Sequence, residues 1–110
     1  MSDARLPTHV WVEAELRRCS AAGIGVVVIH KGERMGGTVM LKLYRHGVGC
    51  RLLSQMRDLD GRLAWYPAHR EEVIAETDAD DRIRRAIERD PDLWVIEIES
   101  RDGSNPLADA

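Results

Sequence analysis

The chain has 110 residues, of which 44% are hydrophobic and 32% charged, and its formal net charge at pH 7 is −3. This length accommodates one domain with one core over residues 1–110, and no apolar run is long enough to span a bilayer, which argues against a multidomain or membrane-spanning protein. Residues 1–7 lack a signal-peptide core, so we expect a cytoplasmic protein in which Cys19 and Cys50 are buried free thiols.

The charge is unevenly distributed along the chain. Residues 1–57 contain nine Lys or Arg against four Asp or Glu, which gives +5, whereas residues 58–110 contain seven against fifteen, which gives −8. Such asymmetry is typical of a basic binding surface, or of two surfaces that attract each other in an oligomer.

The first predicted element is a helix. Thr8 is a suitable N-cap, and Gly23 is a suitable terminator after a helix that reaches about residue 22. One apolar stripe with i, i+4 and i+7 spacing faces the core. It consists of Val12, Leu16 and Cys19.

Two strands are predicted next. Residues 24–30 are apolar at both alternating sets of positions, which indicates a strand covered on both faces. Residues 38–44 alternate between apolar and polar positions, as in a half-buried strand. The intervening segment, residues 31–37, contains three glycines, so we expect an antiparallel hairpin with its first strand in the sheet interior.

The remaining elements follow in order. We predict a third strand over residues 50–57, a turn at residues 58–61 and a short fourth strand that ends before Pro67. A capped helix begins near Thr77, and a last strand covers residues 93–99. We expect an ordered body over residues 6–100 and a polar, frayed tail over residues 101–110. The inward face of the second helix consists of Ala79, Ile83, Ala86 and Ile87.

The order α-β-β-β-β-α-β predicts an α+β domain in two layers, with an antiparallel sheet of about five strands and two helices packed on one face. The last strand is expected beside either strand one or strand four. The uncovered sheet face would then be half apolar, which is typical of a contact surface. The predicted interaction face consists of Met40, Lys42, Tyr44, Arg51, Leu53, Arg57, Tyr66, Glu97 and Glu99.

In residues 90–103, Pro91-Asp92-Leu93-Trp94 leads into an acidic strand, which is an unusual and therefore specific pattern. Together with several shorter segments, it resembles a family of small alphaproteobacterial proteins, the domain of unknown function numbered 1491. The resemblance extends over residues 6–104. It supports the order of elements and implies no catalytic residue. The other matching segments are residues 10–12, 16–19, 21–23, 37–42, 53–54 and 57–61.

Few residues are candidates for chemistry. Glu97 and Glu99 lie on one strand face about 7 Å apart, a spacing that suits metal binding or acid–base work, although ion pairing with basic neighbours is the usual fate of such carboxylates. His46 and Cys50 flank a turn, but zinc requires three or four ligands. We therefore predict no catalytic residue, no metal site and no cofactor.

Three function classes are compatible with these patterns. Our leading hypothesis is a small non-enzymatic protein-interaction module that forms a homodimer, or another homo-oligomer, through the open sheet face or an edge strand. The alternative is a small-ligand-binding protein or enzyme that uses Glu97 and Glu99. Tyr44 and Tyr66 on an open sheet also suit the stacking of single-stranded bases, but the acidic balance disfavours nucleic acid. We also expect that an unidentified protein is a further partner and that the protein does not bind a membrane.

Overall fold

A computed structural model describes residues 6–57 and 59–107, without the side chain of Arg57. Asp58 of the predicted turn and residues 108–110 of the predicted tail lie outside this part. The described residues contain two helices and five strands. These are α1 (Thr8–Ala21), β1 (Val26–His30), β2 (Val39–Arg45), β3 (Gly49–Arg57), β4 (Leu63–Pro67), α2 (Glu76–Arg89) and β5 (Trp94–Glu99).

The five strands form one open sheet in the order β1-β5-β2-β3-β4. Three neighbouring pairs are antiparallel, and β2 and β5 are parallel, so the sheet is mixed rather than wholly antiparallel. Helix α2 connects β4 to β5, and a helical crossover returns the chain in its original direction, so β5 runs in the direction of β4. Because β2 and β4 both run antiparallel to β3, β5 is also parallel to β2. The α+β class, the two helices and the five strands agree with the sequence-based prediction.

The predicted hairpin between the first two strands is wrong. Strand β5 lies between β1 and β2 and pairs with both, so β1 is an edge strand and not an interior one. Of the two predicted positions of the last strand, the structure has the one beside the first strand. The eight-residue connection between β1 and β2 is long enough to pass around the start of β5, and its contacts stabilise that path.

This connection is fixed by hydrogen bonds from its backbone to two other parts of the chain. The Glu33 amide donates to the Asp92 carbonyl over 2.9 Å, and the Trp94 indole donates to the Glu33 carbonyl over 2.7 Å. The amides of Thr8 and His9 donate to carbonyls of the same connection, which satisfies two donors of the first turn of α1. The segment therefore joins the start of α1 to the start of β5.

The two helices contribute to separate hydrophobic clusters, which the alternation of β2 places on opposite faces of the sheet. Leu41 of β2 packs in the cluster of α1, together with Val12 and Cys19. Met40 packs against the cluster of α2, together with Ala79. Each helix therefore covers its own face rather than sharing one, and neither face is left fully open.

Residues 101–107 pack against the body instead of fraying. Leu107 is only 1% exposed and belongs to the cluster of α1. Its carbonyl accepts a hydrogen bond of 3.1 Å from the Trp65 indole, and the Pro106 carbonyl accepts one from Arg18. The polar composition of the segment concealed this single apolar anchor.

Candidate functional site

The most unusual polar group in the described residues is the side chain of Lys42, which is 2% exposed in the middle of β2. Its Nζ lies 2.7 Å from the Asp80 carboxylate and 2.9 Å from that of Glu76, both on α2. It lies 3.0 Å from the carboxylate of Glu97 on the neighbouring strand β5. One ammonium group thus joins two strands and a helix, and we name these four residues the Lys42 cluster.

The local sequence explains why these groups meet. Lys42 and Glu97 are register partners in the parallel β2–β5 pair, so their side chains leave the same face of the sheet. Glu76 and Asp80 lie one turn apart on α2, where i and i+4 side chains share a helix face. Helix α2 therefore places two carboxylates directly over the ammonium group.

The Lys42 cluster keeps its ammonium group charged. Burial alone would lower the pKa of Lys42, but the hydrogen bonds that its ammonium group donates to Asp80, Glu76 and Glu97 outweigh that effect and raise the pKa above its ordinary value. A neutral amine is needed for nucleophilic or Schiff-base chemistry. The geometry of Lys42 therefore suits a structural cation and does not suit a nucleophile.

Both cysteines are buried free thiols, as predicted. Burial raises the pKa of Cys50 to about 11, although the nearby charge of Lys42 acts in the opposite direction. Burial also raises the pKa of Cys19. Because the thiolate is the reactive form, neither residue is activated for nucleophilic chemistry near neutral pH.

The residues predicted to form one interaction face do not share one open surface. Register places Arg51 opposite Leu43 and Leu53 opposite Leu41, on the side that α1 covers. Arg57 is paired with Leu63 at the far end of β3. Alternation and register place the others on the side of α2. These are Met40, Lys42, Tyr44, Tyr66, Glu97 and Glu99.

The burial of these residues also departs from an open face. Lys42 is 2% exposed and Leu53 is 4% exposed, so neither is accessible to a partner. Tyr44 is half-buried, and its hydroxyl lies 3.2 Å from the Nδ1 atom of His46. Because α2 lies over this side, the flat platform expected for stacking single-stranded bases is not present in the described part of the chain.

Glu97 and Glu99 occupy different environments. The carboxylate of Glu97 is held by Lys42, whereas Glu99 is exposed beside Gly25 at the end of the sheet. The two carboxylates therefore do not act on one bound group as a matched acid and base. Within residues 6–57 and 59–107, no group of three His, Cys, Asp or Glu side chains is arranged to hold a metal ion.

His69 is a residue whose environment the sequence did not reveal. Its side chain is 1% exposed, its Nε2 accepts a hydrogen bond of 3.0 Å from the Leu52 amide, and its Nδ1 lies 2.8 Å from the Glu71 carbonyl. These partners require a neutral ring with its proton on Nδ1. His69 therefore continues the hydrogen-bonding edge of β3 beyond the end of β4.

The free edge of β1 is the other notable surface. Val27 and Ile29 on this strand are 53% and 42% exposed, and β1 pairs with β5 on one side only. The Gly25 carbonyl accepts from the Glu99 amide, so by antiparallel alternation the N–H and C=O groups of Val26 and Val28 face away from β5. No other described strand pairs with these groups.

Comparison with known proteins places the chain in a family. A model of the DUF1491 family, described as proteins of unknown function, matches residues 6–108. The chain belongs to the DUF1491 family. This confirms the resemblance inferred from its closing motif, and the family description assigns no activity. A comparison with curated proteins finds no match.

Solved structures of DUF1491 proteins share the fold. A crystal structure of a member from Caulobacter crescentus is 38% identical with a TM-score of 0.79, and the match covers 90% of this chain and 92% of that one. An NMR structure of a member from the same organism is 37% identical, with a TM-score of 0.77 and coverage of 91% and 90%. The solution structure of Atu0922 from A. tumefaciens is 22% identical, with a TM-score of 0.71 and coverage of 87% and 86%, and supports the fold alone.

One sequence signal could have revealed the Lys42 cluster. By strand alternation, Lys42 shares its strand face with Met40 and Tyr44, which are largely apolar side chains, and this is an unusual place for a lone cation. Glu76 and Asp80 have the i, i+4 spacing that presents two carboxylates together.

No helix in the part of the chain that the structure describes has the length and apolar character needed to cross a membrane.

Proposed function

We propose that this protein is a small cytoplasmic protein-interaction module without catalytic activity, and that it forms a homodimer through the β1 edge. The observation that carries the proposal is the exposed edge of β1, with its two outward apolar side chains and its outward backbone groups. An exposed strand edge is a template for pairing with another strand.

The composition of β1 favours a second copy of the same strand as the partner. Residues 26–29 contain no charged residue, so two copies of the strand meet without like-charge repulsion. Native proteins protect edges of this kind with Lys or Pro, and β1 contains neither. A twofold axis allows antiparallel pairing of identical strands, which is the commonest symmetry of soluble oligomers.

The shape of β1 limits where pairing occurs. The register with β5 shifts between Val28 and His30, which marks an irregularity at Ile29 and bends the strand. Regular pairing along the free edge is therefore confined to the stretch before the irregularity. We place the twofold axis near Val27, where Val26 and Val28 of each copy exchange hydrogen bonds with the other.

The states of one buried lysine and two buried thiols support the non-catalytic part of the proposal. The ammonium of Lys42 is held charged, and the thiols of Cys19 and Cys50 have raised pKa values, so these groups are unsuited to nucleophilic roles near pH 7. The cytoplasmic assignment is supported by the two free thiols, because unpaired cysteines are typical of reducing compartments.

The experiment is a measurement of molar mass by light scattering over a range of protein concentrations. We expect a dimer for the wild type, a folded monomer for Val27→Lys and an unchanged dimer for Val48→Lys. Val48 is a matched control, because it is the same residue type and is 52% exposed in the turn between β2 and β3. A wild-type monomer at every concentration, or a dimer of Val27→Lys, would contradict the proposal.

A second measurement tests the position of the axis. In Val27→Cys, two thiols across the twofold axis come close enough to form an intermolecular disulfide under mild oxidation. The buried native thiols do not compete in the folded protein. We expect crosslinked dimer from Val27→Cys and none from Val48→Cys, and equal crosslinking of both variants would show random collision instead of a defined edge.

A further inference from the structure

A groove of about 450 Å³ lies at the end of the sheet near the start of β3, and its lining includes no residue of the Lys42 cluster or of β1. Its floor is formed by Leu43 of β2 and Arg51 of β3, which are register partners on the side of α1. One wall is the segment 69–73, and the other is the start of the C-terminal segment, from Ser100 to Gly103. We name this feature the Arg51 groove.

Both walls of the Arg51 groove are fixed by hydrogen bonds. Cys50 and Ile74 exchange two backbone hydrogen bonds of 2.7 and 2.9 Å, which hold the segment 69–73 against β3. The Ser100 amide donates to the Tyr44 carbonyl over 2.9 Å, and Arg45 Nε donates to the Arg101 carbonyl over 3.1 Å. A site with fixed walls pays little ordering entropy when it binds a ligand.

Arg51 is the group that points to a ligand. Its side chain is half-buried, and its guanidinium group forms no hydrogen bond or ion pair with any residue that the structure describes. A guanidinium group has five N–H donors in a planar fork, and partial burial weakens its interaction with water. An oxyanion seated in the groove would supply the missing acceptors, since carboxylate and phosphate groups match this fork in a bidentate manner.

The acidic residues of the groove have other partners or lie at its rim. The Asp102 carboxylate accepts from the amide and the hydroxyl of Ser104, and the Glu71 carboxylate lies 3.8 Å from Arg82 of α2. Glu72 is exposed. None of these carboxylates forms an ion pair with Arg51, so the guanidinium is available to an incoming anion.

The apolar part of the lining restricts the ligand further. Val48 and Val73, which are 52% and 38% exposed, lie beside Leu43 in the same groove. From these contacts we propose that the Arg51 groove binds a small organic anion, with its carboxylate or phosphate group on Arg51 and its apolar body against these side chains. This site is independent of the proposed dimer, since no residue of β1 lines it.

The test is an NMR titration of the full chain with inorganic phosphate and, separately, with benzoate. The amides of Gly49 and Gly103, which line the groove, report binding. We expect chemical-shift changes that saturate in the millimolar range with at least one of the two probes. The identity of that probe separates a phosphate ligand from a carboxylate ligand.

Three variants make the test specific. Arg51→Gln should weaken binding roughly tenfold to a hundredfold, because it removes the charge-assisted bidentate pair. Arg51→Lys should weaken it less, since it keeps the charge and loses the fork. Arg17→Gln, which removes an exposed arginine on α1, should leave binding unchanged. Absence of saturable shifts with both probes, or unchanged binding by Arg51→Gln, would overturn the proposal.

Folding is verified independently of binding. Because the Arg51 guanidinium has no hydrogen-bond or ion-pair partner among residues 6–57 and 59–107, Arg51→Gln should keep the wild-type amide spectrum outside the groove and the wild-type unfolding midpoint. The bound probe should raise the unfolding temperature of the wild type and not that of Arg51→Gln. An equal rise in both proteins would show that the anion acts elsewhere and would also contradict the proposal.

Discussion

The ammonium group of Lys42 lies 2.7 Å from the carboxylate of Asp80, although the two residues are 38 positions apart in the chain. This contact connects β2 to α2 across the interface that buries the second hydrophobic cluster. Glu76 and Glu97 complete the shell around the same cation. Acidic residues of the second half of the chain therefore surround a basic residue of the first half. Some of the opposite charges of the two halves thus form ion pairs within the monomer.

Replacement of Lys42 by methionine should destabilise the fold. The variant keeps the length of the side chain and removes the charge, which leaves the carboxylate of Glu97, only 27% exposed, close to two others without a counter-ion. Breaking a buried ion pair typically costs several kcal/mol, and because all three carboxylates reach solvent we expect about 2 kcal/mol. Urea unfolding monitored by circular dichroism measures the difference.

The matched control for this prediction is Lys31→Met. Lys31 is the other lysine of the chain and is exposed after β1, so its replacement should change the free energy of unfolding by less than about 0.5 kcal/mol. Equal effects of the two substitutions would mean that Lys42 contributes no more than an ordinary surface charge.

Truncation of Leu107 tests whether the C-terminal segment belongs to the core. Leu107 is 1% exposed, and Leu→Ala changes at buried sites leave a cavity. We expect Leu107→Ala to lower the free energy of unfolding by about 2–4 kcal/mol. Leu59→Ala is the control, because Leu59 is fully exposed, and it should change stability by less than about 0.5 kcal/mol. Chemical denaturation measures both variants. If the C-terminal segment were frayed, both substitutions would change the free energy of unfolding by equally small amounts.

The stability of the protein should fall as the pH rises above 9, partly through Cys50. Its pKa is about 11 in the folded protein against 9.0 as the reference for an exposed thiol. A raised pKa means that the unfolded chain loses the thiol proton first, so the contribution is fully present below pH 9 and is lost as the pH rises toward 11. Cys50→Ala should reduce this slope, which unfolding midpoints at several pH values would measure.

The control for the pH dependence is Cys50→Ala at neutral pH. The variant removes a small buried group, which lowers the free energy of unfolding by the same amount at every pH. Ionisation of the thiol is therefore measured only by how the difference between wild type and variant changes with pH. A difference between wild type and variant that stays constant between about pH 8 and pH 11 would mean that Cys50 ionises equally easily in the folded and unfolded chains.

The sequence by itself determined the elements and the buried faces of the two helices. The helical stripe of Val12, Leu16 and Cys19 and the inward face of α2 were predicted correctly, because side-chain periodicity directly reflects which surface of an element is buried. The type and order of all seven elements were also predicted. The family was predicted from a specific local motif.

Only the tertiary structure decided the order of the strands, the face that each helix covers and the environments of Lys42, His69 and Leu107. Strands pair through backbone N–H and C=O groups, which every residue except proline carries alike. The sequence of β1 therefore does not indicate whether its neighbour is β2 or β5. The partners of Lys42 on α2 are 34 and 38 positions away, and one partner of His69 is the backbone amide of Leu52. Such contacts depend on how distant segments meet, which local periodicity does not encode.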